Sequence, residues 1–292
     1  MGNYIGILAS HKNSHADLVE LALEKRGVIV KRFPITEVIA GINTRNRLTY
    51  GGEDLCALDA LLVRSVPGGS LEQVIFRMDR LYTLQRNGVK VVNSPAAIEK
   101  TVDKYYTSAL LQEQSIPTPP TVVVEKVSQA MEAFREMKDV VVKPLFGSMG
   151  NGILRVDDEE VAHRVFTSLG QCGYVYYLQQ YIPHGCEDIR AFVIGHSVVA
   201  AMLRKGEGWK TNLAKGAKAF PIKLTPEQES LCISAVKAIG ADYGGVDLMM
   251  GEDENPYIIE VNSIPGWLGL QKVTEVDIAG VLADYLIQGQ ST

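Results

Sequence analysis

The chain reads as an α/β protein of three lobes, and three features of its sequence say so. It opens on a strand, a helix and a strand, the succession that a parallel sheet requires. Prolines at positions 117, 119 and 120 then end a long helical pattern and force an extended connector. Beyond residue 175 come strands joined by short polar turns, as antiparallel pairs allow. The expected division is an N-terminal parallel α/β lobe over 1–95, a central α+β flap over 96–178 and a C-terminal lobe with an antiparallel core sheet over 179–292.

The first β-α-β unit is "YIGILAS", "HADLVELALEKRG" and "VIVKRFPI", followed by a further strand, "LDALLVRS". Ser70 and Gln73 have capping-box spacing, and Leu71, Val74, Ile75, Met78 and Leu81 form an apolar stripe that stops at Asn87-Gly88, so a helix is predicted there. "VKVVNSP" is a strand ended by Pro95. No GxGxxG follows the first strand, which argues against a dinucleotide-binding lobe. "AAIEKTVDKYYTSALLQEQ" predicts one helix. The flap is expected from "TVVVE", a helix around 130–137, "VVVKP" and "GILRV". Three strands follow, "VYYLQQYI", "DIRAFVIG" and "HSVVAAMLRK", and then the loop "GWKTNLAKGAKAFPI". Thr225 and Gln228 form a second capping box around Pro226, a residue suited to the first helical position. "YGGVDLMMGEDENPYIIEVN" is a hairpin and "DIAGVLADYLIQ" a closing helix.

At 292 residues and 46% hydrophobic composition the chain can bury a substantial core. Lysine and arginine total 29 against 34 acidic residues, with no basic run, which disfavours general nucleic-acid binding. There is neither an apolar run of membrane-spanning length nor a secretory leader pattern, so a soluble, cytoplasmic protein is expected. Cys56, Cys172, Cys186 and Cys232 contain no CxxC pair, which suggests neither a zinc knuckle nor a disulfide framework. His11 and His15 flank a loop-like stretch with no evident third ligand, so no metal is expected there.

The chemistry-bearing residues cluster later in the chain. Glu260 and Asn262 lie two apart in "YIIEVN" and share a face of the strand. The turn "GEDENP" brings Asp247 level with them. Two carboxylates and an amide oxygen suit Mg²⁺ completed by water and substrate phosphates; a solvated strand face would show the same spacing. In "VVVKPLFGSMGNG", Lys143 ends a strand and glycines at 147, 150 and 152 leave the backbone bare. A lysine beside a loop of exposed N–H groups suits phosphate oxygens, although an ordinary hairpin reads alike. This is not a Walker A loop, because the lysine precedes the glycines. Lys104 could supply a second cation, and Arg190 and Arg204 need anionic partners if they face inward.

Taken in order, "NSPAAIEKTVDKYYTSALL", "VVVKPLFGSMGNGI", "LQQYI", "EDIRAFVIG", "WKTNLAKGAKA", "GGVDL" and "IIEVNSIPGW" resemble the ATP-grasp superfamily, specifically its RimK-type α-L-glutamate ligases. The resemblance covers essentially the whole chain and implies an ATP-grasp fold with ATP held between flap and C-terminal sheet. It implies that Lys104 and Lys143 meet the nucleotide phosphates, with Gly147, Ser148, Met149, Gly150 and Gly152 closing over them. Gln180, Tyr181 and Ile182 then fall at the adenine, Asp188 at the ribose, and Asp247, Glu260 and Asn262 at Mg²⁺, for which Mn²⁺ could substitute. Arg190, Arg204, Lys210 and Asn212 match positions near the phosphoryl-transfer centre. Two departures stand out: Gln180 replaces a common Glu, and Lys210 replaces a common Arg whose bidentate contact lysine cannot reproduce.

"SLEQVIFRMD", "GWKTN" and "VNSIPGWLGLQKVT" look most like the subgroup that adds glutamate to cofactors of the tetrahydromethanopterin type. The implied partners are L-glutamate and a carboxylate-bearing small-molecule acceptor, in a homo-oligomer, with no nucleic acid and no membrane. A closed pocket with Trp209 or Trp267 stacked on a heterocycle would fit that acceptor. A protein-modifying ligase acting on a C-terminal tail would instead need an exposed groove. A nucleotide-binding sensor without turnover is the third reading.

Overall fold

The computed structural model describes residues 3–44, 47–147 and 150–288. The N-terminal region runs β1 (Tyr4–Leu8), α1 (Ser14–Glu24), β2 (Ile29–Phe33), three short strands β3 (Ile39–Ala40), β4 (Leu48–Tyr50) and β5 (Glu53–Asp54), then β6 (Ala60–Val63), α2 (Leu71–Arg86) and β7 (Lys90–Val92). The parallel sheet has the order β2-β1-β6-β7. The capping box of α2 forms as expected: Gln73 N donates to Ser70 Oγ, and Ser70 N to Gln73 Oε1 at 3.1 Å.

The single helix expected after Pro95 is two, α3 (Pro95–Val102) and α4 (Lys104–Glu113). Asp103 between them is extended, and its carboxylate accepts the Tyr106 N–H at 3.0 Å. It thereby caps α4 and puts Lys104 at the first position of that helix.

The flap contains β8 (Thr121–Val124), α5 (Val127–Met137), β9 (Val140–Lys143), β10 (Leu154–Val156), α6 (Glu159–Gln171) and β11 (Tyr176–Gln180), with the antiparallel order β10-β9-β11-β8. Helix α6, capped by Asp158, is an addition to the sequence reading. Strand β11 spans residues 178 and 179 and pairs with the flap rather than with the strands that follow it. Phe134, Val140, Val142, Phe166, Tyr176 and Leu178 give this sheet a core of its own.

The C-terminal region comprises β12 (Glu187–Ile194), β13 (Ser197–Lys205), β14 (Lys218–Pro221), α7 (Pro226–Ile239), β15 (Tyr243–Met250), β16 (Pro256–Asn262), α8 (Leu268–Gln271) and α9 (Ile278–Gln288). Its antiparallel sheet has the order β14-β13-β12-β15-β16. One face packs on α7 through Ala191, Val193, Val236, Val246 and Leu248. The opposite face, with Phe192, Met202 and Tyr243, shares a core with Ile5 and Ile7 of β1 and Leu282 of α9. A buried amide reinforces that junction: Asn93 Nδ2 donates to the carbonyls of Tyr243 (2.8 Å) and Ser263 (2.6 Å), and its Oδ1 accepts from Asp242 N and Tyr243 N.

Trp267 belongs to this core and is 0% exposed, which corrects its candidacy as a stacking platform. It lies edge-on to Phe192 and His15, beneath the Arg64 guanidinium at 4.6 Å. His15 accepts the backbone N–H of Trp267 through Nε2, and burial, with Arg64 nearby, pushes its pKa down to about 4. Among the described residues no helix is long and apolar enough to cross a membrane.

Candidate active site

Strand alternation aims the charges. On β12, Asp188 and Arg190 share the face opposite the buried Ile189 and Ala191. Register then places Arg204 of β13 beside Asp188, and Asp247 of β15 beside Arg190. Arg190 clasps Asp247 with Nε and Nη2, the latter at 2.9 Å from Oδ2. Arg204 clasps Asp188 in the same way, with Nε 2.7 Å from Oδ1. Its Nη2 also lies 3.0 Å from Asp247 Oδ1. Two buried carboxylates are thus balanced by two guanidiniums, the arrangement that buried charge demands. Burial raises the Asp247 pKa, but Arg190 and Arg204 outweigh it and hold the carboxyl below the usual range.

Asp247 pairs with Glu260 across the β15–β16 hairpin, while the next residue, Leu248, pairs with Ile258. This bulge turns both Ile259 and Glu260 toward the cleft while Ile258 and Val261 stay in the core. Asn262 sits opposite Gly245, and its Oδ1 accepts the Ile264 N–H at 2.9 Å. The Glu260 carboxylate takes no hydrogen bond or ion pair among the described residues, although the residue is half-buried and level with Asp247. An unpaired carboxylate beside a paired one, with an amide oxygen two residues on, fits a hard cation completed by substrate oxygens. Among the described residues no cluster of three or more His, Cys, Asp or Glu offers a self-sufficient metal cage.

The flap supplies the opposing wall. Lys143 is buried at the end of β9, and its Nζ donates to Gln179 Oε1 at 2.6 Å. Burial pushes its pKa down to about 8, against the pull of Glu260. Burial also lowers that of Lys104, which Glu260 and Asp103 partly restore. Lys104 Nζ donates to the Gly147 carbonyl at 2.8 Å, Lys210 Nζ to the Ile153 carbonyl at 2.8 Å and Lys215 Nζ to Asn151 Oδ1 at 3.1 Å. Three ammonium groups therefore strap the glycine-rich loop down. Gly150 has φ +69°, and a Cβ there would lie 2.5 Å from Asn212 Oδ1, so the close approach requires glycine.

One pocket is lined by Lys104, Lys143, Gln180, Tyr181, Ile182, Asp188, Arg204, Lys210, Asn212, Asp247 and Glu260. Arg190 and Asn262 stand outside its lining, Arg190 behind Asp247. Gly147, Gly150 and Gly152 belong to the strapped loop, and Ser148 and Met149 lie outside the described residues. Sequence reasoning missed Gln179, which lines the same pocket, and singled out its neighbour. Alternation carried the signal: Tyr176 and Leu178 enter the flap core, so Gln179 lies with Tyr177 on the opposite face of the strand. Trp209 lines the pocket edge-on to Tyr181 at 6.4 Å, and the Arg155 guanidinium caps the Tyr181 ring at 3.6 Å.

Residues 101–286 match the RimK-like ATP-grasp domain. The chain belongs to the RimK-like ATP-grasp family. A relative of this ATP-grasp chain from Methanocaldococcus jannaschii, named tetrahydromethanopterin:alpha-L-glutamate ligase, is 34% identical over 291 residues, covering 97% of this chain and 98% of its own. A probable alpha-L-glutamate ligase from Aliivibrio fischeri is 32% identical over 296 residues, covering 99% and 96%. Among solved structures, the ATP-grasp ligase PsnB complexed with minimal precursor, Mg and ADP superposes with a TM-score of 0.79 at 20% identity, over 99% of this chain and 98% of that one. The expected ATP-grasp fold is therefore present, and this ATP-grasp chain is an enzyme of the ligase type that forms C–N bonds.

Proposed function

We propose that this ligase uses ATP and Mg²⁺ to join the amine of L-glutamate to the carboxylate of a small acceptor of the tetrahydromethanopterin type, releasing ADP and phosphate. The observation that carries the reading is the convergence of Asp247 and Glu260 with Lys104, Lys143 and Arg204 on one pocket. The acceptor class is supported by 34% identity, over nearly all of both chains, to a relative named for that reaction.

A carboxylate is a poor electrophile, so the acceptor must be activated. The γ-phosphoryl group passes to an acceptor carboxylate oxygen, giving an acyl phosphate and ADP. The neutral amine of glutamate then attacks the acyl carbon, the bond to the phosphate oxygen breaks, and the amine sheds a proton. Lys104 and Lys143 hold nucleotide phosphates, while Gln180, Tyr181 and Ile182 border the adenine and Asp188 the ribose. Asp247, Glu260 and Asn262 hold Mg²⁺, with Mn²⁺ an alternative, which when bound neutralises phosphate charge. Arg204, Lys210 and Asn212 stabilise the charged species around the reacting carbon, and Arg190 acts from behind by holding Asp247. The strapped loop excludes water, which would otherwise hydrolyse the acyl phosphate.

The test is ADP release with Mg²⁺-ATP and L-glutamate, against a panel of tetrahydropterin cofactors and acidic C-terminal peptides, with Asp247→Asn as control. Release that needs both glutamate and a pterin, and is lost in the variant, is expected. Stimulation by peptides alone would replace the acceptor with a polypeptide. ATP binding without any acceptor-dependent release would favour a sensor.

A further inference from the structure

A lysine side chain swings on a flexible four-carbon stem, so a buried one meets a phosphate only if something decides where its ammonium points. For Lys143 that partner is Gln179, whose Oε1 accepts from Nζ at 2.6 Å. The two side chains are 8% and 3% exposed, so water contributes little to the orientation.

The orientation of the amide is itself settled by its other end. Gln179 Nε2 donates to Thr121 Oγ1 at 3.1 Å and to Tyr177 OH at 3.3 Å. Thr121 Oγ1 donates onward to the Pro119 carbonyl at 2.9 Å, and the Tyr177 hydroxyl is 2.9 Å from Ser108 Oγ. Hydroxyls from β8 and β11 thus converge on the nitrogen, the second of them backed by Ser108 of α4, which leaves the oxygen for the lysine.

The chemistry of the partner matters as much as its place. A carboxylate at 179 would accept the same hydrogen bond but cancel the ammonium charge. An amide orients the lysine and leaves that charge available to an anion.

We propose that Gln179 is a positioning residue, holding the Lys143 ammonium toward the nucleotide phosphates without neutralising it. This rests on the assignment of Lys143 to those phosphates.

The test measures calorimetric dissociation constants of the full-length protein for Mg²⁺-AMPPNP and for adenosine, which has no phosphate. Gln179→Glu is nearly isosteric, and is expected to weaken AMPPNP binding roughly tenfold while leaving adenosine binding unchanged. Tyr177→Phe, a milder change, removes one hydroxyl behind the amide and is expected to weaken AMPPNP binding about two- to threefold. In a Lys143→Met background, Gln179→Leu, which brings no charge of its own, should cost nothing further, because the amide acts through the lysine. Wild-type AMPPNP affinity in Gln179→Glu, a further loss in the double variant, or an equal loss of adenosine binding would each overturn the proposal. A Lys143→Met protein that binds AMPPNP like the wild type would instead remove the phosphate assignment, and the proposal with it.

Discussion

Replacing Lys143 with methionine is expected to raise stability at pH 7 while weakening nucleotide binding. Burial lowers the lysine pKa from 10.5 to about 8, and each pKa unit corresponds to about 1.4 kcal/mol. Keeping the side chain charged inside the fold at pH 7 therefore costs on the order of 3 kcal/mol. Methionine has a similar length and no charge, but it leaves Gln179 Oε1 without its donor, a loss of about 1–3 kcal/mol. A net gain of about 1 kcal/mol follows, which a chain of this size shows as a Tm rise of about 1.5–2 °C. The pH dependence has a definite sign. Between about 8 and 10.5 the unfolded lysine keeps its proton while the folded one loses it, so wild-type stability rises with pH across that window. The advantage of Lys143→Met should shrink over the same window. Urea denaturation of both proteins at pH 7, 8, 9 and 10 would measure it. A variant that is less stable at pH 7, or a difference that stays flat with pH, would refute the reasoning.

Asp247→Asn should slow acceptor-dependent ADP release by roughly 10²–10³. It should also lose about 2–4 kcal/mol in a urea titration, because Arg190 and Arg204 lose a shared buried counter-charge. Gly150→Ala combines an unfavourable φ with a clash on Asn212, so the loop settles less closely. Turnover should fall up to about 10²-fold with thermal stability nearly unchanged. Trp267→Ala should cost about 3–5 kcal/mol of stability, whereas Trp209→Ala should leave the melting curve in place and weaken ligand binding, measured by calorimetry. Asn93→Ala strands two backbone carbonyls and two N–H groups and should lower stability by about 2–4 kcal/mol, read from denaturant midpoints.

Much of the site was legible because its residues obey local periodicity. Glu260 and Asn262 are two apart in a strand, a turn signal precedes them, and the register places Asp247 beside Glu260. Lys143 was visible because its strand ends where glycines begin. What escaped depends on long-range or sub-periodic events. The break at Asp103 is invisible to a helical pattern that continues through it, and only the cap on Tyr106 N reveals it. The bulge at Ile259 adds one residue that no alternation anticipates. Trp209 and Trp267 both follow glycines, and only the tertiary fold buries one and leaves the other beside the cleft. Three strands of two or three residues, β3 to β5, are too short to show a period.

The core shared by β1, β12, β13 and α9 bears on how the polypeptide can be divided. Ile5 and Ile7 are as much the lining of the C-terminal sheet as of their own, and Asn93 ties off backbone at residues 242, 243 and 263. A fragment beginning at residue 96 would present the Phe192 and Met202 face to water, and a fragment ending at residue 95 would do the same with the inner face of β1. The first third of the polypeptide is consequently an unsuitable cassette for exchange between relatives unless the facing strands and the last helix travel with it.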